Sequence, residues 1–380
     1  GAFSGIALET TTQVTIPGKA LFITASGTSP AITDLSDKPA GAQYGLVWRT
    51  VPSDNFQAKA IAQYMSVVEA SVRAELNLMA SEPIKVGILH TSDAYGTGLR
   101  DALQPNLVFN GKPALDGSNA NNYFVFEYDD YSVDPPTTRY AEAKDKAIME
   151  GAHVIFLFGF SEAVAEVFAK IEIEWTATSH RPRYVFSDAV FGEALANTVN
   201  VGEADPVKRA DWRRRTTGVI PGPSDQDPLF KGFLVSYASG MRPGDPSIFG
   251  AASAYDATYL LFFAAATITE GPITGIKLAE GMAKMSKADP AMEAVVKVGA
   301  AELPGALNKI SAGTFKSIDY NGAFGPLNFD ATTGEPAANV QIYCLANDGT
   351  GKAKSQLSGA FYNADTNMLE ATEKIDSVCQ

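Results

Sequence analysis

Small hydroxyl residues and one carboxylate sit at points where apolar runs stop. Leu21 to Thr24 runs into Ala25-Ser26-Gly27-Thr28-Ser29-Pro30, and Tyr184 to Phe186 runs into Ser187-Asp188. The Ser26-Gly27-Thr28 turn offers two hydroxyls, a glycine and backbone N–H groups. Together with Ser4 it could hold a carboxylate by charge-assisted hydrogen bonds, without an arginine. A plain turn of small polar residues would read the same way. Asp188 is an acid at the end of a buried strand, and such a carboxylate needs a donor. A ligand ammonium would serve, and so would a helix start that Asp188 caps. Tyr95, in Tyr95-Gly96-Thr97-Gly98, and Phe160, after Gly159, stand at two further run ends. Both could wall a cleft, and Tyr95 could stack on a cation or hydrogen-bond through its hydroxyl. Both types are also ordinary core residues.

Two other patterns point towards enzymes and fall short. Gly159-Phe160-Ser161-Glu162-Ala163 lies where a nucleophile elbow would lie, but its last glycine is absent. The only later histidine, His180, follows too soon for the usual order of nucleophile, acid and base. Gly96-Thr97-Gly98 has no third glycine at dinucleotide-loop spacing. Three histidines and two cysteines make a Cys/His metal site unexpected. Neither an enzyme nor a cofactor is expected.

The elements that must position these residues follow from hydrophobic periodicity. Near-continuous apolar runs at Leu21 to Thr24, Lys85 to His90, Val154 to Phe158 and Tyr184 to Phe186 predict buried parallel strands. Ligands bind beyond the carboxyl ends of such strands. Asn55 to Leu76 has apolar residues at helical spacing, and shorter helices are expected over Gly98 to Leu103, Arg139 to Met149 and Glu162 to Ile173. With a strand at Tyr123 to Tyr128, the chain from Lys85 to Phe186 reads as strands alternating with helices, joined by right-handed crossovers into one sheet. Gly1 to Gly5 reads as a strand end entering a turn, and Thr10 to Leu21 as a short helix or irregular link. Further helices are expected over Leu229 to Ser239 and Ser253 to Ile268. Pro- and Gly-rich Gly218 to Asp225 marks a linker, Gly322 to Asp330 a second crossing, and Asn339 to Leu345 a strand at a sheet edge.

At 380 residues, 46% of them apolar and 19% charged, the chain can build two or three cores. No stretch approaches the ~20 apolar residues of a membrane-spanning helix. A net charge of −13 argues against nucleic acid. Cys344 and Cys379 are either two free thiols or a disulfide, which would imply an oxidising compartment. The first residues show no basic region followed by an apolar segment, so a leader and more of the first domain are expected to lie outside this sequence.

One order of motifs runs through nearly the whole chain: Ser4; Ile23 to Thr33; Trp48-Arg49-Thr50-Val51-Pro52-Ser53-Asp54-Asn55-Phe56-Gln57; Tyr95 to Gly98; Gly159-Phe160; Ser187-Asp188; and Tyr255-Asp256-Ala257. It resembles the type 1 periplasmic solute-binding proteins of the branched-chain amino acid (Leu/Ile/Val) ABC transporters. The resemblance implies an α/β fold of two lobes joined by three crossovers, closing on ligand by a hinge. Residues 1–50 and 222–326 would form lobe I, and residues 51–221 and 327–380 lobe II. It implies that Ser4 and the turn Ser26, Gly27 and Thr28 hold a ligand α-carboxylate, that Tyr95 and Asp188 bind its α-ammonium, and that Phe160 lines the cleft. Phe160 stands where the family's amino-acid binders often carry Tyr, and the family's opening βαβαβ segment has no counterpart before Gly1.

The function that follows is an extracytoplasmic receptor, periplasmic or extracellular, with or without a lipid anchor, that delivers an amino acid or related ligand to ABC permease subunits as a monomer. The alternative is a sensing module of a signalling receptor on the same fold. The ligand side chain is not readable, although Phe249 and Tyr255 could join Phe160 around it.

Overall fold

The computed structural model describes residues 3–129, 139–177, 179–286, 293–313 and 317–379. By contacts the chain divides into two compact units, Gly1–Ser53 with Pro221–Asn339, and Asp54–Ile220 with Val340–Gln380.

The second unit is built on an eight-stranded sheet. Its strand order is Met368–Glu370, Ala353–Asn363, Val340–Asn347, Thr216–Pro221, Arg183–Phe186, Val154–Phe158, Val86–Thr91 and Tyr123–Tyr128. The pairs from Thr216–Pro221 to Tyr123–Tyr128 are parallel, whereas Ala353–Asn363 pairs antiparallel with both Val340–Asn347 and Met368–Glu370. Every residue of Val86–Thr91 and of Val154–Phe158 is buried, which is why these strands read as unbroken apolar runs rather than as alternation. Helix Asp54–Leu76 buries Ala58, Ile61, Met65, Val68 and Val72 along one stripe. These side chains share a core with Val86, Ile88, Val154, Phe156 and Val185.

The first unit pairs Phe22–Thr24 in parallel with Val47–Arg49, and Glu293–Lys297 in parallel with Ser317–Asn321. Helix Ala251–Ala266 supplies Leu260, Phe263 and Ala264 to a core that also holds Trp48, Tyr320 and Phe329. Hairpin Asn328–Asp330 and Glu335–Ala337 belongs here, because Phe329 meets Trp48 edge-on at 5.6 Å and Gly334 O accepts from Arg49 N at 3.0 Å. The division drawn from the sequence had given residues 327–339 to the second lobe.

Several local expectations need correction. Ser4–Thr10 is a helix continued by a π-helical turn over Thr11–Thr15, not a strand end entering a turn. The Tyr95-Gly96-Thr97-Gly98 motif lies inside helix Ala94–Leu103, whose Asp93 cap accepts from Gly96 N at 2.9 Å. Gly96 is required there, since a Cβ would stand 2.4 Å from Thr91 O. The helix expected over Glu162 to Ile173 is π-helical over Ala163–Phe168 and α-helical over Ala169–Glu174. Strand Val340–Asn347 is interior to the sheet, with seven of its eight residues buried, although its polar flanks suggested an edge. Cys344 and Cys379 form a disulfide that ties the last helix, Glu373–Val378, to that interior strand.

Candidate ligand-binding site

In the first unit the hydroxyl turn is held from three sides. Ser4 opens its helix with a hydroxyl that is 1% exposed, and its Oγ accepts from Thr28 N at 3.2 Å and Ser29 N at 3.0 Å. Gly27 N donates to Thr24 Oγ1 at 2.9 Å, and Ser253 Oγ donates to Ala25 O at 2.7 Å. A Cβ on Gly27 would meet Ile32 Cδ1 and Thr24 Oγ1, each at 2.9 Å. The backbone N–H groups of Gly27, Thr28 and Ser29 are therefore occupied within the turn, so they are not the anion cradle the sequence suggested. What remains for an anion is the hydroxyl proton of Ser4, whose oxygen already accepts twice, and Thr28 Oγ1, which is buried and lacks a partner.

An arginine braces this turn from behind. Arg49, 1% exposed, donates from Nη1 to Thr28 O at 3.1 Å and Ser29 O at 3.0 Å, and its Nη2 meets Glu335 and Thr33 Oγ1. Its charge is answered by Glu335, so it fixes the turn rather than facing it as a bare cation. Phe249 and Tyr255 lie elsewhere in the same unit. Phe249 packs on the main core, and the Tyr255 ring lies 5.1 Å from Phe233 and 4.9 Å from Tyr259.

In the second unit the parallel strands bring Tyr95, Phe160 and Asp188 together. Asp188 follows strand Arg183–Phe186 in the short 3-10 turn Asp188–Val190, and it is 1% exposed. The Tyr95 hydroxyl donates to Asp188 Oδ1, and the Tyr95 ring lies 5.3 Å from that of Phe160. Burial pushes the Asp188 carboxyl up to about 6, against hydrogen bonds from Tyr95, Gln57 and the backbone of its own turn that favour the charged form. Burial and the nearby Asp188 and Asp54 carboxylates raise the Tyr95 phenol well above its usual value. Among the described residues, the hydrogen-bond donors to Asp188 are all neutral.

Two residues of this cluster escaped the sequence reading as ligand candidates. Asp54 and Gln57 open helix Asp54–Leu76, are fully buried, and are joined by a bond from Gln57 Nε2 to Asp54 Oδ1 of 2.7 Å. Gln57 Oε1 is buried with no partner. An acid and an amide one turn apart at a helix start look like capping residues in sequence. Their burial beside a second acid was the missing signal.

The Ser161 pattern does not assemble. Ser161 is exposed, and the turn is closed instead by Glu162, whose Oε1 accepts from Phe160 N at 2.8 Å. His153 and His180 stack at 4.2 Å at the opposite end of the sheet, where Lys85 N donates to His153 Nδ1.

Solved structures supply a likeness. The leucine-binding protein LivK of Thermotoga maritima superposes with a TM-score of 0.60 at 16% identity, covering 96% of this chain and 79% of that one. The branched-chain amino acid transporter substrate-binding protein LivJ of Streptococcus pneumoniae, in complex with isoleucine, gives 0.57 at 16% identity over 94% and 77%. A solute-binding protein of an ABC transporter from Rhodopseudomonas palustris, in complex with 3,4-dihydroxybenzoic acid, gives 0.60 at 14% identity over 96% and 77%. The fold is that of the type I periplasmic binding proteins. No protein-family model matches the chain, and no curated protein does.

Proposed function

We propose that this chain is an extracytoplasmic solute receptor for an ABC importer and that it binds a small amino acid or a close relative. The observation that carries the reading is Asp188, a buried carboxylate whose hydrogen-bond donors are all neutral. A ligand ammonium is the partner that would offset its desolvation. The Ser4 and Thr28 hydroxyls would take the ligand carboxylate, Tyr95 would orient Asp188, and Phe160 would lie against the ligand body. ABC permease subunits would be the receiving partner.

One neighbour in fold holds isoleucine and another holds a dihydroxybenzoate, so the fold alone does not choose between them. The buried acids Asp188 and Asp54 favour an amino acid. A benzoate brings a second negative charge and no cation, and it would be repelled by Asp188 and Asp54. Phe160 narrows the choice little, since it offers a face but no hydroxyl.

A thermal-shift screen of amino acids, amides and aromatic acids should show stabilisation by amino acids. With the best ligand in hand, Asp188→Ala should weaken binding more than tenfold, at least about 1.4 kcal/mol, by calorimetry. Unchanged affinity, or stabilisation by aromatic acids alone, would overturn the ammonium assignment.

A further inference from the structure

A cleft of about 600 Å³ opens in the second unit, at the other end of the sheet from Tyr95 and Asp188. Arg183 lines it and begins the strand whose far end delivers Asp188. At ~3.3 Å rise per residue the two positions lie roughly 15 Å apart. Apolar walls come from Tyr64, Val67 and Val68 of helix Asp54–Leu76 and from Ile375 of the last helix. This is the size and lining of clefts that hold small molecules.

The charges around it do not balance. Arg183, Arg213, Arg214 and Arg215 all line the cleft. Glu75 pairs with Arg183 at 2.8 Å and Arg214 at 2.9 Å, Asp211 pairs with Arg214 at 2.8 Å and Arg215 at 2.9 Å, and Glu172 pairs with Arg215 at 2.6 Å and with Arg181, outside the cleft, at 3.0 Å. Arg213 is left over. It is 7% exposed, its Nε is buried without an acceptor, and its side chain makes no hydrogen bond or ion pair with any described residue. Arg209 repels it and Asp348 attracts it at longer range, but the Asp348 carboxylate is engaged by Thr350 and Lys352 in its own loop. A mostly covered arginine side chain without a counter-charge is costly to keep, and an anion bound at its guanidinium is the simplest way to offset it.

We propose that this cleft is a second ligand site, which takes a monoanion with an apolar body: the carboxylate on Arg213, the body against Tyr64, Val67, Val68 and Ile375. One unpaired arginine calls for one negative charge, and the walls favour a chain or ring over a bare inorganic ion. The site is independent of the amino-acid reading, because none of its residues belongs to the Tyr95–Asp188 cluster.

Calorimetry on the full chain with octanoate, octanamide and inorganic phosphate tests it. Octanoate should bind once per chain, with octanamide and phosphate each at least tenfold weaker. Arg213→Met should weaken octanoate at least tenfold, and Ser71→Trp, which fills the cleft without touching charge, should do the same should the arginine variant fail to fold. Hydrogen exchange should show octanoate protecting helix Pro206–Arg214 and the adjoining half of helix Asp54–Leu76. The proposal is overturned by absent or non-saturable octanoate binding, by equal binding of octanamide or phosphate, by undiminished binding in both variants, or by protection confined to the segments around Tyr95 and Asp188.

Discussion

Thr28 and Asp188 divide the chemistry of the proposed amino-acid site in a way that can be tested one group at a time. The Thr28 hydroxyl is buried without a partner, so Thr28→Val removes a donor without orphaning one. We expect affinity for the best ligand to fall about three- to tenfold, as befits one hydrogen bond to a charged group, while the melting temperature holds or rises. Ser4→Ala would confound the two effects, because Ser4 Oγ also satisfies the N–H groups of Thr28 and Ser29. Asp188 should make binding pH-dependent. With its carboxyl pushed up to about 6, the free protein carries a proton there below that pH, and an ammonium ligand must displace it. Affinity should be flat above about pH 7 and fall by up to tenfold per unit below 6, the loss disappearing in Asp188→Asn. Calorimetry in buffers of different ionisation enthalpy would detect the released proton. Asp188, Tyr95 and Phe160 were legible because strand ends in a parallel sheet converge. Asp54 and Gln57 were not, since a helix start gives acids and amides a local use that hides any other.

Among the elements, loop 322–325 shows how a motif of unassigned role acquires one. Asp256, from Tyr255-Asp256-Ala257 in helix Ala251–Ala266, is fully buried and accepts from Ala323 N and Phe324 N, each at 2.8 Å, and from Tyr320 Oη at 3.0 Å. Gly322 permits this approach, since a Cβ there would lie 2.3 Å from Asp256 Oδ2. Burial pushes Asp256 up to about 7 from an ordinary 3.8, despite its three donors. The folded state then holds a proton that the unfolded chain releases, so the contribution to stability is full below about pH 4 and is lost as pH rises through 7. Denaturation midpoints of the wild type should decline across that window by at most about 1.4 kcal/mol per pH unit. Asp256→Asn should flatten the slope, even though the amide suits the two N–H donors less well. The elements themselves were largely readable from periodicity: Tyr123–Tyr128 and Val154–Phe158 fall where expected. The interior place of Val340–Asn347 was not readable, because periodicity reports burial of faces and says nothing of which strands lie alongside.

For the whole molecule, the Cys344–Cys379 disulfide decides between two readings that sequence had left open, because pairing depends on how the last helix docks and not on spacing. It spans 35 residues of sequence, which in the chain-entropy model stabilises the fold by roughly 3–4 kcal/mol. Replacing both cysteines with serine should lower the denaturation free energy by about that amount, and excess dithiothreitol should have the same effect on the wild type but none on the variant. Two unshifted midpoints would show that docking of the last helix does not depend on the bond.

The strand that this bond anchors is made long after its neighbour Thr216–Pro221. Val340–Asn347 takes a place between Thr216–Pro221 and Ala353–Asn363, so the larger sheet is not complete until the segment Val340 to Gln380 has been made. Until they emerge, Thr216–Pro221 has an open edge, and its apolar Val219 and Ile220 lack their neighbour. Neither unit is one continuous stretch of chain, so neither can close early in translation. Contacts between such distant segments make slow folders. The second unit should stay incomplete, with that edge open to any factor that handles nascent polypeptide, until Val340–Asn347 has been made.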